Sequence, residues 1–185
     1  MEFLPLPLAG AFRVRLTPHR DPRGFFARTF CIDEFAAAGL PVDYPQQSLA
    51  RSERAGTLRG MHLQIEPHAE DKYVRCVRGR ILDTIADLRP QSPTFLQTCA
   101  VELDAAGGDA LFVPRGFAHG YQTLVDENAV IYAMTSRYEP RAARSVRWDD
   151  PRLAIAWPDP NPTISDTDRT APALDALLLE LGVRL

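Results

Sequence analysis

Apolar and polar positions trade places every residue or two through most of this chain, and the runs are short. In ILDTIADL, Leu82, Thr84, Ala86 and Leu88 fall on one face and Ile81, Asp83, Ile85 and Asp87 on the other, the period-two pattern of a strand. Comparable runs predict strands over residues 12–16, 24–30, 72–77, 80–88, 98–103, 110–113, 120–124 and 129–136, and GTLRGMHLQ (56–64) reads as a further buried strand. RGR (78–80), AAGGD (105–109) and PRG (114–116) supply turns at hairpin spacing. Helix is confined to the margins. Asp33 is placed to cap a short EFAAA turn that Gly39 ends. APALDALLLELG sets Leu174, Leu177, Leu178 and Leu181 on one face of a docking helix within 171–185. Many short strands with helices only at the edges predict a mostly β protein in one domain, a sandwich or barrel of the jelly-roll kind.

Composition narrows the partners. A chain of 185 residues, 45% hydrophobic and 24% charged, can bury one full core. The net charge of −3 argues against a nucleic-acid or anionic-membrane binder, which presents a basic surface, although local basic residues can still hold a small anion. Cys31, Cys76 and Cys99 are scattered and form no CxxC pair, which fits a reducing compartment better than a disulfide framework or a zinc site. MEFLPLPLAG lacks the positive segment and continuous apolar run of a secretion signal, and nowhere do ~18 apolar residues follow one another. The expectation is a soluble, cytoplasmic protein.

Two segments carry candidate chemistry. GTLRGMHLQ sets Arg59 and His62, both costly to bury unused, into an apolar run. In GDALFVPRGFAHGYQT, Gly108, Pro114, Gly116 and His119 follow the spacing of the second cupin motif, with Thr123 where that motif ends in Asn. The segment matching the first motif has His62, then Gln64 in place of a second histidine. Lys72 precedes Gly79 by the interval at which a metal-binding Glu would stand. An amide is a poor ligand and an ammonium repels a divalent ion, so no metal is expected; Lys72 supplies the positive charge instead.

DPRGFFARTF, GTLRGMHLQ, DKYVRCVRG, DTIADLRPQSPT, VPRGFAHGYQTL, IYAMTSRY and WDDPRLAIAWP succeed one another over about residues 10–170 in an order that resembles the dTDP-4-dehydrorhamnose 3,5-epimerase family. The resemblance implies a cupin-type jelly roll that works as a homodimer, exchanges N-terminal strands between subunits and uses no cofactor. Its substrate would be a nucleotide-diphosphate-linked 4-keto-6-deoxyhexose. Inverting a carbon beside a ketone needs a base on one side of the sugar, an acid on the other, and positive charge for the enolate. The resemblance assigns these roles to His62 with Asp168 behind it, to Tyr132, and to Lys72. Without it, Asp168 reads as a loop carboxylate or helix cap, Lys72 as a surface lysine and Tyr132 as a core aromatic.

The same resemblance gives substrate-binding roles to Arg23, Arg59, His119, Tyr138, Gln47 and Phe26. The two guanidinium forks suit diphosphate oxygens, Tyr138 would stack on the nucleobase, and Arg23 would act in the partner's site. Asp83 and Asp87 are read as structural, paired with arginines such as Arg89. Four places depart from the family pattern: Arg28, Gln46–Ser48, Ala143 and Thr167. All belong to binding, so the proton-transfer set matches while the specificity set is altered. Other functions compatible with this barrel are a nucleotide-sugar 3,4-ketoisomerase, a non-catalytic sugar-nucleotide-binding module and a metal-dependent dioxygenase.

Overall fold

The alternating segments form two facing sheets in the computed structural model, which describes residues 1–183. The chain opens with β1 (Glu2–Pro5), β2 (Phe12–Arg15), β3 (His19–Asp21), β4 (Gly24–Phe26), α1 (Ile32–Ala37), β5 (Gln46–Ser52) and β6 (Thr57–Gln64). It continues with β7 (Lys72–Arg78), β8 (Arg80–Asp87), β9 (Thr98–Asp104), β10 (Ala110–Val113), β11 (Phe117–Thr123) and β12 (Asn128–Met134). β13 (Ala143–Ser145), β14 (Thr163–Ile164), α2 (Asp166–Arg169) and α3 (Leu174–Glu180) complete it. One sheet has the order β1-β2-β10-β7-β12-β5; the other runs β13-β6-β11-β8-β9, with β14 added parallel to β6.

Alternation sorts the apolar residues into three layers. Ile81 and Ile85 of β8 point between the sheets, against Val74, Val113 and Val130 of the first sheet. Ala86 and Leu88 face outward, where Leu174, Leu177 and Leu178 of α3 cover them. On the outside of the first sheet, Phe112 and Ala133 pack with Phe35 of α1. A helix of α3's length is unstable alone in water. Its three leucines hold it, each fully buried side chain contributing about 2 kcal/mol.

The structure departs from the sequence reading at the margins. Asp33 does not cap α1: the helix starts two residues earlier than that cap would allow, Cys31 stands at the N-cap without a side-chain bond, and Asp33 lies in the first turn. There its charge, with that of Glu34, complements the positive helix end. Gly39 does end the helix, in the left-handed conformation just beyond it. The strand expected over 24–30 stops at Phe26 and pairs with β3 alone, as an exposed hairpin. The C-terminal helix spans only Leu174–Glu180, and residues 184–185 of the expected segment lie outside the described residues. β1, β3, β5, β13 and β14 are strands that the alternation did not reveal.

Candidate active site

A local irregularity in β6 builds the site. Arg59 and His62 are three residues apart, so strict alternation would send them to opposite faces. β6 and β11, however, pair His62 with His119 and Arg59 with Tyr121, three steps against two, which is a β-bulge. The extra residue turns both side chains to the same side, where they line one cavity of about 930 Å³ between the sheets. The bulge requires glycine. Gly60 sits at φ +136°, and a Cβ there would lie 2.5 Å from the Cα of Gly120.

His62 is held from behind. Asp168, on α2, meets His62 Nε2 through Oδ1 at 2.6 Å, and its Oδ2 accepts the Gly60 N–H at 3.3 Å. Ser165 caps α2 by accepting the Asp168 N–H. Burial pushes the Asp168 carboxyl up, but the His62 hydrogen bond and charge, with the Gly60 and Ser165 bonds, outweigh it and hold the group below the usual carboxylate range. An ionised Asp168 can only accept, so Nε2 carries the proton and Nδ1 keeps the free lone pair of the neutral ring.

Tyr132 lies on β12 of the opposite sheet and lines the same cavity. So does Lys72 at the start of β7, whose Nζ donates to the His62 carbonyl at 3.1 Å and pairs with Glu70 at 3.2 Å. Burial draws the Lys72 ammonium below the ordinary lysine range, with Glu70 and then Asp83 pulling the other way. His119 on β11 completes the floor, its Nε2 2.6 Å from Asp83 Oδ1.

Seven residues singled out in the sequence therefore share one cavity: His62, Asp168, Tyr132, Lys72, Arg59, His119 and Tyr138. Three lie elsewhere. Arg23 and Phe26 sit on the exposed β3–β4 hairpin, Arg23 bonded to Asp21. Gln47 faces the other side of β5, in a second depression with Phe30 and Tyr44; the strand's alternation sends its neighbours Gln46 and Ser48 into the main cavity instead. Gln47 is thus replaced by Gln46 as the β5 amide at the site.

Asp83 pairs with His119, not with an arginine as the sequence suggested, while Asp87 does bind Arg89. The signal was present: Asp83 shares a face with Ile81 and Ile85, which point between the sheets. Gln64 is fully engaged, donating to Glu70, His68 O and Arg137 O and accepting from the Glu139 N–H. Among the described residues, no three His, Cys, Asp or Glu side chains gather as metal ligands. No described helix is long and apolar enough to cross a membrane.

Residues 5–176 match the family described as dTDP-4-dehydrorhamnose 3,5-epimerase. The chain belongs to that family. A Shigella flexneri dTDP-4-dehydrorhamnose 3,5-epimerase is 40% identical over 80% of this chain and 82% of its own. A Streptomyces niveus dTDP-4-dehydrorhamnose 3-epimerase is 36% identical over 97% and 84%. The crystal structure of the Bacillus anthracis 3,5-epimerase with TDP and PPi bound superposes with a TM-score of 0.91 at 36% identity, covering 94% of this chain and 99% of that one. The two-sheet sandwich is accordingly the cupin-type jelly roll of these epimerases. Of the positions departing from the epimerase pattern, Gln46, Ser48, Ala143 and Thr167 line the cavity, and Arg28 instead pairs with Glu34.

Proposed function

We propose that the protein epimerises a nucleotide-diphosphate-linked 4-keto-6-deoxyhexose at C3, C5 or both. The observation that carries this reading is the placing of His62 and Tyr132 on opposite sheets around one cavity. A cavity of about 930 Å³ has the size of small-molecule sites that enclose most of their ligand. His62 Nδ1 takes the proton from the carbon beside the ketone, and the C–H electrons move into the carbonyl to make an enolate. The imidazolium so formed is stabilised by ionised Asp168. The Lys72 ammonium, itself buried, offsets the charge on the enolate oxygen. The Tyr132 hydroxyl then gives its proton to the opposite face of the carbon, and solvent returns both groups to their starting states.

Arg59, with His119 and Tyr138, would bind the rest of the substrate, Arg59 as a fork for diphosphate oxygens. The protein would work as a homodimer in which the β3–β4 hairpin carries Arg23 and Phe26 to the partner's cavity. Phe26 is 75% exposed in the single chain, an apolar side chain that such a contact would cover. Ala143 and Thr167 stand at the cavity wall where the family pattern carries charged residues, so these two positions would set the choice of nucleobase.

Incubation with dTDP-, UDP-, GDP- and CDP-linked 4-keto-6-deoxyglucose, followed by proton NMR of the sugar ring, tests the proposal. Inversion at C3 or C5 of at least one substrate is the expected result. A product with the carbonyl moved to C3 would establish a ketoisomerase, and tight binding of every nucleotide sugar without turnover would establish a binding module.

A further inference from the structure

Lys72 is the only lysine among the chain's 21 Lys and Arg residues. The others are all arginines, whose guanidinium does not deprotonate in proteins; an ammonium is compact and loses its proton readily when buried. The single lysine stands where burial opposes its charge. Its side chain is 9% exposed, and the partner opposing deprotonation, Glu70, is 10% exposed.

Glu70 is itself fixed. Its Oε2 accepts from Gln64 Nε2 at 2.9 Å while its Oε1 meets Lys72 Nζ at 3.2 Å. Gln64 is tied to the His68 and Arg137 carbonyls and to the Glu139 N–H, so the carboxylate is anchored to backbone on both flanks. The remaining groups around Lys72 are occupied. Asp83 of β8 is bonded to His119 of β11, and Asp168 is committed to His62 of β6. Tyr132 of β12 shares the cavity, and neighbouring Asp71 binds Arg115 and Thr135. Glu70 is the one carboxylate in direct contact with the ammonium among the described residues.

We propose that Glu70 is a positioning residue: anchored by Gln64, its carboxylate keeps Lys72 an ammonium directed into the cavity, charged before the enolate forms. The inference rests on the enolate-holding role given to Lys72 above. Removing the carboxylate charge while keeping its shape leaves only the Asp83 charge to oppose burial at Nζ, so Lys72 should lose its proton at lower pH.

A single lysine makes the measurement direct. Full-length protein labelled with ¹³Cε-lysine gives one side-chain resonance, whose titration is that of Lys72. The Glu70→Gln variant should titrate at least about one pH unit below the wild type. Glu70→Asp should stay within about half a unit of it, and Gln64→Ala should fall between. The alkaline limb of kcat should move with the Glu70→Gln midpoint while KM stays near its wild-type value. Equal midpoints in wild type and Glu70→Gln would overturn the proposal. Should that variant not fold, the wild type decides: a midpoint above about pH 8 supports it, and one below about pH 8 overturns it. The titration needs no turnover. A shifted midpoint in a protein that epimerises nothing would sink the functional reading and leave the counter-ion intact.

Discussion

Replacing Asp168 with Asn tests the dyad with almost no change of shape. The carboxylate accepts two hydrogen bonds, one at each oxygen: Oδ1 from His62 Nε2 at 2.6 Å, and Oδ2 from the Gly60 N–H at 3.3 Å. An amide has only one oxygen to offer. With that oxygen kept on Gly60, its NH₂ meets Nε2 and must donate, which drives the imidazole proton onto Nδ1, the nitrogen proposed to take the substrate proton. With the oxygen turned to His62, two donors face each other at Gly60, and the imidazolium loses its anionic partner. A hydrogen bond to a charged group contributes about 1.5–3 kcal/mol, so the second arrangement alone costs about 10- to 150-fold in rate. The first blocks the base outright. The expected fall in kcat is thus about 10-fold or more, with KM little changed, because the imidazolium exists only once the proton has moved. Rates of C3 and C5 inversion by NMR over a substrate series measure both constants. A variant within about threefold of wild type in kcat, or one whose whole loss lies in KM, would show that Asp168 does not act through His62.

Other perturbations reach the fold that positions the site. Gly60→Ala introduces a Cβ 2.5 Å from the Gly120 Cα at φ +136°, so it should destabilise the protein by about 3 kcal/mol or more in thermal or denaturant unfolding; a loss under about 1 kcal/mol would show that the bulge does not need glycine. Leu177→Ala empties a site 2% exposed beneath α3 and should cost about 2–5 kcal/mol, while the exposed Leu179→Ala on the same helix should cost under about 0.5. Asp87 tests pH linkage. Burial raises its carboxyl, but Arg89, Ser92 and Thr94 together hold it below its unfolded value of 3.8. A lowered folded pKa contributes stability that is present above the unfolded value and is lost as pH falls through the folded one. The gap in Tm between wild type and Asp87→Asn should therefore narrow below pH 3.8. A gap constant from neutral to strongly acid pH would contradict this.

Interior strands were legible because apolar residues recur along them, alternating with polar ones in β9 and unbroken in β10, where every residue is buried. ILDTIADL sorted its residues into the inter-sheet layer and the α3 layer as written. The missed strands lack that contrast. β3 is exposed at every residue, and β13 and β14 take their pairing from β6 rather than from any pattern of their own. The chemistry was legible residue by residue but not in its geometry. Alternation alone would have parted Arg59 from His62; only the register slip between Arg59–His62 and His119–Tyr121 joins them. Glu70 stands in the run Glu70-Asp71-Lys72, a charged stretch with no local mark of burial. Its burial arises from contacts with Gln64 and Lys72 that no local pattern encodes. Gln47 and Gln46 show how a one-residue step along a strand exchanges a site residue for one on the opposite face.

The division of labour between His62 and Tyr132 meets its most direct test in D₂O, where solvent deuterium entering the sugar at the inverted carbon is followed by NMR. Wild type should incorporate deuterium with inversion, His62→Ala should incorporate none, and Tyr132→Phe should exchange the proton without completing inversion. Deuterium entering with inversion at the wild-type rate in His62→Ala would contradict the account.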